Sequence, residues 1–157
     1  MKILNISLAI ILQLLLVAGC SKKDGIVLFG VMLGDDAENA PKGEMVAEGR
    51  YRYEHTPKLN GEWRCFYDIR DDIIVSVSGL CWGDVDLQEN FEACREWLKQ
   101  NVPYDKITDD REQDFTTYSN TVTSSCSIYN GLLKIEVTLL GDVKKRQRRN
   151  KTPDLSK

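Results

Sequence analysis

Five cysteines and one histidine are the residues of this 157-residue chain best suited to chemistry, and their spacing narrows what that chemistry is. A single imidazole, His55, excludes the hydrolytic zinc centres that are built on paired histidines. Cys65, Cys81, Cys94 and Cys126 lie 16, 13 and 32 residues apart, unlike the CxxC pairs of a zinc site, so no metal is expected. An even set of scattered cysteines instead predicts two disulfides, which persist in oxidising compartments and are rare in the cytosol. Asp84, Asp86 and Glu89 have no EF-hand loop around them. Asp105, Asp109, Asp110, Glu112 and Asp114 read as an acidic, soluble linker rather than a carboxylate dyad. His55, near Tyr53 and Pro57, reads as a surface or strand-end residue.

The fifth cysteine stands apart. Lys2 supplies a short positive region, and residues 3–17 are apolar apart from Asn5, Ser7 and Gln13. That length suits a signal h-region and falls short of the ~20 residues a membrane-spanning helix needs. It ends in Val17-Ala18-Gly19-Cys20, an aliphatic residue, two small residues and a cysteine. The segment resembles the lipobox of bacterial lipoproteins at every position. The resemblance implies cleavage before Cys20, acylation of its thiol and its new amino group, and an anchor of several acyl chains at about 0.8 kcal/mol per buried methylene. In lipoproteins of diderm bacteria an aspartate after the cysteine favours inner-membrane retention. Ser21 stands there instead, so the implied destination is the outer membrane, facing the periplasm. That compartment is the oxidising one the cysteine count predicts.

Gly79-Leu80-Cys81-Trp82-Gly83 has the G-x-C-x-G form of the nucleophile elbow, and over those five residues is similar to α/β-hydrolases. That family needs a parallel sheet and a histidine downstream of the nucleophile, whereas His55 lies upstream. No catalytic residue and no cofactor is therefore expected, and the chain reads as a non-enzyme.

Charge is uneven. Residues 20–143 carry 13 Lys/Arg against 23 Asp/Glu, a net of −10, while residues 144–157 carry seven cations against Asp154, a net of +6. Lys144, Lys145, Arg146, Arg148 and Arg149 form the densest part of that tail. Behind a lipobox it is not a nucleic-acid tag. It reads as a disordered, solvated tail or, more sharply, as a contact with an acidic partner or an anionic membrane face, at up to about 1 kcal/mol per cation.

These groups need a scaffold, and hydrophobic periodicity predicts one. Residues 26–33 form a continuous apolar run that reads as a buried strand. Residues 50–55 alternate, Asn60-Gly61 signals a turn, and residues 62–69 and 73–80 form a hairpin about a three-residue turn at Arg70-Asp71-Asp72. That register collects Trp63, Cys65, Tyr67, Ile69, Ile73, Val75, Val77 and Cys81 on one face, with Phe66 and Ile74 as exceptions on the other. A second hairpin about Asn130-Gly131 pairs Tyr129 with Leu132 and Cys126 with Ile135. Between the hairpins, Asp86 is a natural N-cap for a helix whose stripe is Leu87, Phe91, Cys94, Trp97 and Leu98, stopped near Pro103.

The expected fold is α+β: a small, mostly antiparallel meander of about six strands with one main helix packed on it, stapled by disulfides. The expected organisation is a cleaved signal peptide over 1–19, one periplasmic domain over 20–143 and the basic tail over 144–157. In the three-residue-turn register Cys65 pairs with Val77, so Cys81 lies four residues away along the strand, ~13 Å, beyond the ~7 Å a bridge spans. A helix running back over that hairpin brings Cys94 above Cys65. The expected bridges are then Cys65–Cys94 and, by elimination, Cys81–Cys126.

Function is less legible. The plan of lipobox, small sheet, apolar helix and disulfides resembles that of some type III secretin pilotins, in organisation only. It implies a non-enzymatic accessory that binds an envelope protein, with no nucleic-acid partner. The alternative is an immunity, inhibitor or exclusion lipoprotein. Lysozyme-inhibitor lipoproteins share the anchor but are all-β. A groove beside the helix favours the first role and an exposed acidic loop the second.

Overall fold

The structure, a computed structural model, describes residues 25–141. Cys20 and the basic tail with Lys144, Lys145, Arg146, Arg148 and Arg149 lie outside the described residues.

The strongest turn signals act locally. Phe29 and Gly30 both take positive φ and fold the apolar run into a tight hairpin of β1 (Val27–Leu28) and β2 (Val31–Met32). The run was expected as one strand, and Gly30 at its centre is what breaks it. After a short 3-10 turn come β3 (Gly43–Ala47), β4 (Arg50–Tyr53), β5 (Glu62–Arg70) and β6 (Ile73–Trp82). The helix α1 (Leu87–Asn101) follows, then β7 (Lys106–Asp110), β8 (Asp114–Tyr118), β9 (Val122–Tyr129) and β10 (Leu132–Leu139).

Strands β3 to β10 form one antiparallel sheet in the order β3-β4-β5-β6-β10-β9-β8-β7. It is two four-stranded meanders, each built from local hairpins, joined where β6 pairs with β10 and Val77 faces Val137. Each meander has its own cover on the same face. The β1–β2 hairpin lies on the first: the Phe29 ring sits over Gly79 and against Trp63, and Tyr53 Oη donates to the Phe29 carbonyl at 3.0 Å. Helix α1 lies on the second, over β9 and β10. Its N-cap is the expected Asp86, whose carboxylate accepts from the Gln88 and Glu89 amides at 2.9 and 3.0 Å.

The core is the layer between sheet and covers. One row crosses six strands: Tyr53, Cys65, Gly79, Ile135, Cys126 and Phe115 stand side by side. Phe91, Cys94 and Leu98 meet this face from the helix. A polar pair within it is satisfied internally, Thr117 and Ser124 sharing a hydrogen bond of 2.7 Å. The opposite face is polar, with Arg50 bound to Asp68 and Ser78, and Ser76 to Thr138.

Three further expectations need correction. The fold is mostly β rather than an α+β meander of about six strands: among the described residues eight strands make the main sheet, two the small hairpin, and one α-helix covers half a face. The unexpected strands β3 and β7 are the sheet's edges. Every residue of β3 is exposed and β7 is nearly so, and neither carries the alternation that marks a half-buried strand. Both edges also carry a bulge, between Met45 and Ala47 in β3 and between Ile107 and Asp109 in β7.

The β5–β6 hairpin turns on two residues, not three. Asp71 and Asp72 both adopt positive φ, and Arg70 pairs with Ile73. Asp68 faces Ser76 while Ile69 faces Ile74, which leaves Val75 as the extra residue of a bulge. The bulge explains why Ile74 broke the expected pattern: it is turned into the core, 1% exposed. It also places Cys65 opposite Gly79 rather than Val77.

The fold is not disulfide-stapled. Cys65, Cys81, Cys94 and Cys126 are all buried free thiols, so neither Cys65–Cys94 nor Cys81–Cys126 is a bridge. In the observed ladders Cys81 and Cys126 are separated by two strand spacings and two residues, ~12 Å, well beyond bridging distance. Cys94 misses Cys65 because the helix lies over β9 and β10, whereas Cys65 is on β5. Burial raises all four thiols, pushing Cys65, Cys94 and Cys126 up to about 12. At pH 8 a thiol titrating there is thiolate about once in ten thousand. Iodoacetamide is therefore expected to leave these four thiols of the native protein almost unmodified. After unfolding without reductant it should add four labels from these residues, and a pair of missing labels with a mass deficit of two hydrogens would restore a bridge.

Candidate functional site

On the core side a groove runs between the two covers. Its floor is Ile135, near the centre of the sheet. Leu28 and Phe29 wall it from the hairpin, Ala93 and Trp97 from the helix, and Leu59 closes one end. The groove encloses about 370 Å³ and is mostly apolar. A full helical turn, ~10 Å wide and ~5 Å high, exceeds it, so the groove accepts one or two side chains rather than a buried helix. Trp97 lies on the helix flank, one turn after Ala93, because the core stripe of Phe91, Cys94 and Leu98 turns that flank toward the groove.

His55 stands at one mouth of the groove, its ring 5.9 Å from Phe29 and 6.4 Å from Tyr53, against Gly30. His55 also lines a second, polar cleft of about 760 Å³. Lys42, Arg52 and Arg64 face Glu44 and Glu54 there. Arg52 pairs with Glu44, and the Arg64 guanidinium stacks 4.9 Å above the Trp82 ring.

The residues singled out in the sequence fall elsewhere. The Cys81 thiol is buried, donates toward the Asn60 carbonyl at 3.6 Å and receives the Asn90 amide at 3.6 Å, a packed environment rather than an exposed elbow. The acidic stretch, expected as a linker, spans β7 and β8, and arginines hold three of its five carboxylates. Arg111 binds Asp109 at 2.6 Å and Asp114 at 3.3 Å, and Arg95 binds Asp110. The Arg111 guanidinium keeps the Asp109 carboxyl below the usual carboxylate range. Asp86 is committed to the helix cap. Among the described residues no group of three or more His, Cys, Asp or Glu side chains is arranged to hold a metal.

Sequence reasoning found His55 but not its setting, and it missed Trp63, Trp97, Arg52 and Arg64 as parts of a trough. The one usable signal was Trp97 at the edge of the helix stripe. No known protein family matches this chain, and neither a curated protein nor a solved structure is significantly similar to it.

Proposed function

We propose that the protein is a lipid-anchored, non-enzymatic accessory that binds another envelope protein, on a plan like that of the secretin pilotins. The anchor is the acylated Cys20, and the location is the outer membrane, facing the periplasm. The observation that carries the binding role is the apolar groove between the β1–β2 hairpin and α1. An open apolar recess of this size beside a helix flank suits the knob side chains of an amphipathic segment. The alternative role, an immunity, inhibitor or exclusion lipoprotein, calls for an exposed acidic loop; Asp105 and Glu112 of that stretch are exposed, but Asp109, Asp110 and Asp114 are neutralised by Arg95 and Arg111.

Two measurements test the reading. Cys20→Ser is expected to abolish incorporation of labelled palmitate and to release the protein from floated outer-membrane fractions. Palmitate uptake by that variant would sink the anchor. A photocrosslinking residue at Ala93, exposed on the groove wall, is expected to yield one adduct of defined mass in envelopes, weakened by Trp97→Ala. Unreacted protein alone would sink the binding role.

A further inference from the structure

The chain makes the same two-residue turn twice. Asn130 and Gly131 stand at φ 51° and 74°, and Phe29 and Gly30 at φ 50° and 75°. Asparagine suits the left-handed region, whereas a bulky residue there is an outlier. The turn alone therefore does not account for a phenylalanine at position 29, but its ring does. The ring lies over Gly79, the one residue of the six-strand core row without a side chain, and a Cβ there would stand 2.4 Å from Phe29 Cε2. Gly79 thus leaves a ring-sized socket on the sheet. Trp63 and His55 border it, their rings tilted against that of Phe29 at 5.5 and 5.9 Å. The socket is continuous with the apolar groove, because Gly79 pairs with Ile135, the groove floor, and both Phe29 and His55 line the groove. Phe29 is only partly buried, whereas Phe91 and Phe115 are wholly so.

We propose that Phe29 is a displaceable plug: its ring holds the anchor pocket of the groove in the free protein, and an aromatic side chain of the bound partner segment takes its place on Gly79. The occupant is aromatic because the pocket is already fitted to a ring, with a glycine beneath it and two tilted aromatic rings beside it. The exchange favours the partner's ring, since Phe29 reaches the pocket only from a strained backbone and is free to relax on leaving. The hairpin that carries it offers little resistance, with two residues in each strand. The polar tie given up is the 3.0 Å hydrogen bond from Tyr53 Oη to the Phe29 carbonyl. The plug regulates the groove of the protein-binding reading, and rests on that reading only in taking the competing ring to belong to a protein.

The test uses the full chain carrying Cys20→Ser, labelled with 4-fluorophenylalanine, and toluene as the competing ring. The chain has four phenylalanines, and the signal missing from Phe29→Ala assigns Phe29. Toluene is expected to move that fluorine signal, saturably, to a second position and to leave those of Phe91 and Phe115 in place. Phe29→Ala empties the pocket and is expected to bind toluene about tenfold more tightly than the parent chain, because no ring has to leave first. Phe29→Asn, a residue suited to the positive φ, keeps the turn and should bind as tightly. Gly79→Ala added to Phe29→Ala puts a methyl group in the socket and should weaken binding again. Toluene that fills the Phe29→Ala cavity but leaves the Phe29 signal of the parent chain unmoved would make the ring ordinary core and overturn the plug. So would equal binding by the parent chain and Phe29→Ala, or a response at Phe91 in place of Phe29. The binding role fails separately, through an absent Ala93 adduct in envelopes, which this titration does not touch.

Discussion

Phe91→Ala is expected to cost about 3–5 kcal/mol of stability, the largest loss from any single truncation in the helix. Phe91 is fully buried where α1 meets the sheet, and the helix gives up its main knob with that ring. Thermal unfolding should move down by roughly 10–20 °C. Trp97→Ala is the informative contrast: it removes a larger side chain, but one at the groove wall that is only partly buried, and the loss should be markedly smaller. A Trp97 variant as unstable as the Phe91 one would mean that the groove is closed core rather than an open recess.

Gly79→Ala is expected to unseat the β1–β2 cover. A Cβ at this position would stand 2.4 Å from Phe29 Cε2 and 2.7 Å from Cζ, so the ring has to leave its place over the sheet. Overpacking of this kind costs about 1–3 kcal/mol. The cost is specific to one partner, which a double-mutant cycle reads directly. In a Phe29→Ala background the Gly79→Ala change should cost far less, with a coupling of about 1 kcal/mol or more between the sites. Additive losses would place the strain elsewhere. Because Phe29 also walls the groove, the single variant should lose the crosslink from Ala93 while keeping the helix.

What the sequence made legible was what local chemistry controls. Asn130 and Gly131 adopt the positive φ that a two-residue hairpin demands, and the pairing of Tyr129 with Leu132 and Cys126 with Ile135 is as expected. Asp86 and the Phe91-Cys94-Leu98 stripe define α1 equally well. The β5–β6 register failed because two aspartates in succession at positive φ are an uncommon way to turn, and the bulge at Val75 leaves no composition signal. The exposed edges β3 and β7 lack a buried face, so periodicity has nothing to report. The thiol pairing failed for a tertiary reason: nothing in residues 82–106 states which meander the helix will cover. The trough was invisible on the same ground, since its walls come from the hairpin, β4, β5, β10 and the helix, and only the topology brings them together.

The joining of the two meanders bears on the order in which the protein can assemble. Every other strand pair in the main sheet links neighbours in sequence, at little cost in chain entropy. The β6–β10 pair instead brings Val77 to Val137 across the helix and the whole second meander. Each half can form its hairpins as it is synthesised, and the long closure waits for β10. The floor of the groove, Ile135, belongs to that last strand, while Phe29 and Leu28 belong to the first hairpin. A groove assembled from both ends of the described residues therefore exists only once β10 has docked, and a copy cut short before that strand has no floor to it.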